Sequence, residues 1–260
     1  MRRVLSIALL ALAAPLAAAD LPELRSRGTL RVLVSADEEP LFFNLGGSGE
    51  PGFERELLQG FASLHGLKVE AVPVLRFETI VSDLVSGKGD VITGIIDNEV
   101  RRKQIDFTTE VLPARHVAVT CKPAPVLEAV DQLRRERVGT IPGTTWATVA
   151  AGAGIAESSL KTFPDVGALF EALCSGRITA AVTSVSDATL ALRKEPRIQP
   201  GVLLGEAQSA AWGVRKTDPA LRKALDEYLG NARLGPTWSR LVVKYFGDDA
   251  LRILGRASSR

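Results

Sequence analysis

Cysteine, methionine, histidine and tyrosine are nearly missing from this sequence: two Cys, one Met, two His and two Tyr among 260 residues. Cys121, Cys174, His65 and His116 are too scattered for a structural zinc site, which needs four ligands at short spacings. No metal or cofactor is therefore expected. Neither Gly-x-Gly-x-x-Gly nor a Gly-Lys-Ser/Thr phosphate loop is present, so the usual nucleotide-binding motifs are excluded. An excess of one charge is also lacking: Lys and Arg number 32 against 30 Asp and Glu. Two of the cations are Arg2 and Arg3, and the rest of the chain is balanced. No global field draws it to nucleic acid or anionic lipid.

What is there begins with MRRVLSIALLALAAPLAAAD, a basic start, an apolar run from Val4 to Ala14 and the small residues Ala17-Ala18-Ala19. The run is shorter than the roughly 20 residues of a permanent membrane helix. This is the pattern of a secretory signal peptide over residues 1–19, removed near Ala19 to leave Asp20 first. No Cys follows the run to carry a lipid, so a soluble periplasmic protein is expected. In an exported chain two cysteines permit one disulfide, and two separate buried thiols are equally compatible with the pattern around Cys174.

The remainder alternates between the two hydrophobic periods. LRVLVS at Leu30 to Ser35, Lys68 to Val74 and GDVITGI at Gly89 to Ile95 read as strands. Between them, Gly52 to Leu67 has helical spacing at Phe53, Leu57, Leu58, Phe61 and Leu64, and Phe77 to Ser86 at Ile80, Val81, Leu84 and Val85. This order is that of an open α/β sheet. A second unit opens after Lys122-Pro123-Ala124-Pro125. It has helices at Val126 to Leu133, from Trp146, and at Val166 to Cys174 and Ala188 to Leu192. Its strands lie at Arg137 to Ile141, Ser159 to Phe163 and Arg177 to Val182. A strand from Trp212 and helices at Ala220–Leu229, Pro236–Phe246 and Asp249–Leu254 close the chain.

Several segments, in order from Glu23 to Gly247, carry a resemblance. They are ELRSRGTLRVLVSADEEPLFF, PGFERELLQGFASLHGLKVE, LVSGKGDVITG, RRKQIDFT, VGTIPGTTW, LCSGRITAAVTS, WGVRKTDPALRKALDEYLG and TWSRLVVKYFG. Together they resemble the periplasmic solute-binding proteins of polar amino-acid ABC transporters, extracellular solute-binding protein family 3. The resemblance implies the type II periplasmic-binding-protein fold, two α/β lobes joined by a two-stranded hinge. Lobe one would hold residues 20–120 and 209–260, and lobe two 121–208, with crossings near 120 to 124 and 204 to 209. It also implies a monomer, a small carboxylate-bearing ligand in the cleft and an inner-membrane ABC permease as partner.

The same resemblance assigns site residues. Arg101, six residues before Phe107, matches the arginine that clamps a ligand carboxylate, a task suited to a planar fork of donors. Arg102 and Lys103 would be its solvated neighbours. Thr144 and Thr145 follow Gly143 at a helix start and would meet the carboxylate from the second lobe, one of them serving as a plain cap. Phe77 falls where a ring packs on the ligand, or else begins the core of its helix. The sequence also departs from the family. Ser184 stands where an acid binds the α-ammonium group, and Thr179 replaces the strand's usual Asp. Asp187 is positioned to reach the same space. Glu38, in Asp37-Glu38-Glu39, replaces a frequent aromatic and would face a cationic part of the ligand or solvent. Gly94 and Ile96 lack hydroxyls that some members present. An ordinary α-amino acid is thereby less favoured, since a partly buried counter-charge is worth a few kcal/mol.

Two other roles use the same framework. A cyclohexadienyl dehydratase resembles this family and would need a general acid in the cleft, for which Glu38, Glu39 and Asp187 are candidates. The regulatory domain of membrane-bound lytic transglycosylases also resembles it, at GIIDNEVRRKQ, but no lysozyme-like domain is expected in this length. A ligand-sensing receptor module is the third possibility. No catalytic residue is expected.

Overall fold

The structure is a computed structural model and describes residues 20–258. The signal peptide expected at 1–19 lies outside the described residues.

The first unit runs α1 (Leu21–Arg27), β1 (Thr29–Ser35), α2 (Phe53–Leu64), β2 (Lys68–Val74), then a 3-10 turn at Phe77–Thr79 leading into α3 (Ile80–Val85). It continues with β3 (Val91–Ile96), α4 (Glu99–Arg102), β4 (Ile105–Phe107) and β5 (Leu112–Pro113). The second unit holds β6 (His116–Cys121), α5 (Val130–Leu133), β7 (Val138–Thr140), α6 (Thr145–Gly152), β8 (Leu160–Thr162), α7 (Val166–Cys174), β9 (Ala180–Ser184), α8 (Val185–Lys194) and β10 (Ile198–Leu204). The chain then returns through β11 (Ser209–Arg215) to α9 (Pro219–Leu234), α10 (Pro236–Phe246) and α11 (Ala250–Ala257).

Two sheets result. One has the order β2-β1-β3-β11-β4, with β5 also on β11; the other has the order β10-β6-β9-β7-β8. β1 is parallel to β2 and β3, whereas β11 runs antiparallel to β3, β4 and β5. The crossing expected near 120 to 124 falls instead at 114–115. β6 pairs with β9 and β10 and belongs wholly to the second sheet, so Lys122-Pro123 punctuates the end of that strand, not the exit from the first unit.

Burial follows the apolar spacing with two corrections. Phe53, Leu57, Leu58 and Phe61 are fully buried, but Leu64, in the last position of α2, is exposed. In α3, Ile80 and Leu84 are buried and Val85 is exposed. Both exposed residues close their helices, where no strand lies beneath them. The helix expected from Val126 begins only at Val130, because Gln132 Oε1 accepts from the amides of Glu128 and Ala129 and starts the turn there. A further strand lies at Ile198–Leu204, where Pro200 and Gly201 interrupt the apolar pattern. β10 is an edge strand, where a proline without N–H is tolerated, and its register shifts between Pro200 and Leu203.

The main core spans both units. Phe53 packs its ring 5.4 Å from that of Phe246 and 6.5 Å from that of Tyr245. The same cluster includes Leu169, Ala188 and Ile198 of the second unit. The C-terminal helices do not stay on the first lobe: α10 and α11 pack against α8 as well as against α2 and β5. Arg193 Nη1 donates to the carbonyls of Lys244 (3.0 Å) and Tyr245 (2.6 Å). Cys121 and Cys174 form a disulfide, with Cα atoms 5.3 Å apart, joining the end of β6 to the end of α7.

Asp90, from the LVSGKGD segment, is fully buried among three arginines. It accepts from the Arg31 amide at 2.8 Å and from Arg31 Nη2 at 2.9 Å, and pairs with Arg27 and Arg215. Arg215 in turn meets Asp218 at 2.6 Å. These motif residues brace the first sheet at the ends opposite the cleft.

Candidate functional site

Both sheets reverse their strand order. β1 has β2 on one side and β3 on the other, and β7 lies between β8 and β9. Open α/β sheets leave a crevice beside the strand ends at such reversals. The chain leaving β1 carries Glu38, and the chain leaving β3 carries Arg101. Beyond β7 come Thr144 and Thr145, and beyond β9, which ends at Ser184, comes Asp187. Local chemistry thus places every expected polar residue near one crevice.

A cavity of about 200 Å³ lies between the units. Its lining includes Glu38, Glu54, Gly94 and Ile96 from the first and Ser184, Ser186 and Asp187 from the second. Glu54, on the first turn of α2, is buried and was not among the expected residues. Its Oε2 accepts from Trp212 Nε1 at 2.8 Å and from the Gly94 amide at 3.2 Å. Gly94 has φ +62°, and a Cβ there would meet Glu38 Oε2 at 2.8 Å. The residue that lacks a hydroxyl therefore makes room for one carboxylate and donates to another.

The cavity is acidic, and among the described residues none of Glu38, Glu54 or Asp187 makes an ion pair. Burial pushes the Glu54 carboxyl up to about 8, and the Glu38 charge adds to the shift. Burial also raises Glu38 and Asp187 above the usual carboxylate range. Desolvation disfavours the charged form unless a counter-charge arrives.

Ser184 is committed to local structure. It caps α8, its hydroxyl accepting from the Asp187 amide at 3.0 Å and donating to Asp187 Oδ2 at 2.5 Å. The acid missing at position 184 is thus supplied three residues later, on the first turn of α8.

Arg101, Phe77, Thr144 and Thr145 lie outside this cavity lining. Arg101 is half-buried, and its guanidinium sits 5.6 Å from the Phe77 ring centroid. Its Nη1 donates at 2.7 Å to the carbonyl of Ile96, a residue that does line the cavity. Burial lowers its pKa from the usual value. Arg102 instead pairs with Asp97 at 2.5 Å in solvent. Phe77 is partly exposed and serves as the arginine's platform, not as core. Thr144 occupies the N-cap of α6 but donates its hydroxyl to the Ile141 carbonyl at 2.6 Å. Thr145 Oγ1 lies 2.9 Å from His116 Nε2. His116 is a second residue absent from the expected set, and burial lowers its pKa.

The arrangement joins an acidic cavity to a flanking arginine that has no carboxylate partner among the described residues, so the two could chemically pair with opposite charges. Glu54 falls at the acidic position of the segment PGFERELLQG that carries the resemblance, but within the helical stripe an acid between Phe53 and Leu57 reads as solvent-facing.

Comparison with known proteins shows what the whole chain is similar to. The chain is 25% identical over 244 residues to the membrane-bound lytic murein transglycosylase F of Stutzerimonas stutzeri, covering 91% of this chain and 50% of that one. It thus spans about half the length of that relative. The histidine-binding periplasmic protein of Escherichia coli is 27% identical over 187 residues, covering 66% of this chain and 70% of that one. Among solved structures, an ancestral cationic amino acid solute binding protein superposes with a TM-score of 0.76 at 27% identity. That match covers 87% of this chain and 99% of the other. Residues 30–248 match a single family along most of the sequence, and with two α/β sheets facing a polar crevice the chain belongs to the bacterial extracellular solute-binding proteins, family 3.

Proposed function

We propose that this protein is an exported receptor that closes its lobes on a small solute bearing both a carboxylate and a cationic group. It would pass that solute to an inner-membrane ABC permease. The observation that carries the reading is the set of three cavity carboxylates, Glu38, Glu54 and Asp187, with no Lys, Arg or His among the described residues of the lining. Arg101 beside them, bonded to Ile96 and lying over Phe77, is available to a ligand carboxylate. Relatives described as histidine-binding and as binding cationic amino acids support that class. A ligand held from both lobes favours the closed state by its differential affinity.

Mass spectrometry of ligand released on denaturation, followed by calorimetric titration with arginine, lysine, ornithine, histidine and alanine, tests this. A basic amino acid should bind at least about tenfold tighter than alanine, a difference of about 1.4 kcal/mol. Equal or tighter binding of alanine would overturn the reading. Export would show as an N-terminus at Asp20 in the periplasmic fraction, and retention of residues 1–19 would contradict it.

The second reading is a cleft enzyme of the cyclohexadienyl dehydratase kind, favoured only by Glu54, a buried carboxyl able to hold a proton near neutral pH. No turnover of prephenate or arogenate is expected. Product formation abolished by Glu54→Gln would replace the receptor reading with this one.

A further inference from the structure

Glu38 and Glu54 meet across Gly94 at one wall of the cavity, from different elements. Glu54 rises from α2 with one carboxyl oxygen already engaged by Trp212 and Gly94. Glu38 comes from the loop after β1 and lies over Gly94, where a Cβ would meet its Oε2 at 2.8 Å. Among the described residues no Lys, Arg or His forms an ion pair with either carboxyl. The other charges around α2 are directed elsewhere. Glu56 accepts from Lys244 Nζ and from Tyr245, each at 2.6 Å, and Arg55 lies over the Phe43 ring. Across the cavity the charged group is Asp187, bound to Ser184. Beside Glu38 in the loop is the exposed Glu39. The ionisable residues that line the cavity, Glu38, Glu54 and Asp187, are all acidic.

A buried carboxyl beside a half-buried one, with no counter-ion between them, does not ionise together with it; one keeps a proton. We propose that Glu38 and Glu54 form a specificity-determining subsite for one ammonium, guanidinium or imidazolium group, and that this group enters in exchange for a proton held by the pair. The proposal rests on the receptor reading above and deepens it, since it states which end of the solute is read and at what protonic cost. A solute whose corresponding end is neutral leaves the proton in place and forgoes the ion pair. Binding of the charged solute strengthens as pH rises through the titration of the pair, whereas binding of the neutral one does not.

Trp212 reports on the pair directly, because its indole N–H donates to Glu54. The experiment follows the Trp212 indole resonance by 15N-labelled NMR from pH 6 to pH 9.5, assigned with Trp212→Phe. Guanidinium chloride at about 100 mM is compared with sodium chloride at the same ionic strength, so that general screening is equal. The wild type should titrate with a midpoint near 8, and guanidinium should lower that midpoint by about half a pH unit or more. Glu54→Gln should remove the titration, and Glu38→Gln should shrink the guanidinium effect while leaving the fold intact. Absence of a titration in that range, or the same midpoint in both salts, overturns the proposal. The probe is a bare cation, so the outcome is separable from the amino-acid titrations. A guanidinium-sensitive Trp212 with no amino acid bound would leave the subsite standing and remove the ligand class. An amino acid bound with an insensitive Trp212 would do the reverse.

Discussion

Arg101 and Arg102 occupy adjacent positions in α4, with opposite surroundings. Arg101 is turned inward onto Phe77 and the Ile96 carbonyl, and Arg102 outward onto Asp97. Arg101→Ala should weaken binding of a carboxylate-bearing ligand by about 2–5 kcal/mol. Arg102→Ala should change it little, because exposed pairs contribute about 0–1 kcal/mol. Calorimetric titration of both variants decides between them. Glu54 gives a prediction for stability. Its folded pKa, about 8, is raised above the unfolded value near 4.5, so its stabilising contribution is complete below about pH 4.5 and is lost as pH rises through about 8. Glu54→Gln should therefore be more stable than the wild type at pH 9, by about 5 kcal/mol, with the difference fading toward pH 5. Denaturant unfolding at the two pH values measures it. The register that singled out Arg101 was legible in RRKQIDFT. Glu54 was not, since its meaning depends on Trp212, which is 158 residues away.

The elements that carry the site are short, and each is held at its strand end. β1 and β3 end side by side because they pair in parallel, which brings the Glu38 and Arg101 loops together. At the other end of this sheet Asp90 gathers Arg27, Arg31 and Arg215, tying α1, β1 and β11 to the start of β3. Removing one partner from a buried ionic network strands the remaining charges, at a cost of about 3–5 kcal/mol. Asp90→Asn should lower stability on that scale. Arg222→Ala, which loses only an exposed 3.4 Å pair with Asp106, should alter it by less than about 0.5 kcal/mol. Chemical denaturation of the two variants gives the comparison. Periodicity located β1, β3, α7 and α10 well because each has one apolar pattern. It missed β10 because Pro200 and Gly201 are breakers everywhere except at a sheet edge, and edge position is not a local property.

Across the whole molecule, two units share one core and are crossed twice by the chain, with α10 and α11 reaching from the first to α8 of the second. The Cys121–Cys174 bond closes 53 residues within the second unit. Loop-closure entropy gives such a bond about 4 kcal/mol of stabilisation. The Cys121→Ser/Cys174→Ser double variant should unfold at correspondingly lower denaturant, while reductant should have no further effect on it. By itself the sequence determined the two-unit α/β plan, the family and the loops that face the crevice. Those follow from hydrophobic periodicity and from motifs read within a few dozen residues. Only the tertiary structure decided that the cysteines pair, that the first crossing lies at 114–115, and that Glu54 joins Glu38 and Asp187 while Arg101 flanks their cavity through Ile96. Each of these depends on distances between segments far apart in the chain, and those are set by sheet order and core packing, not by any local pattern.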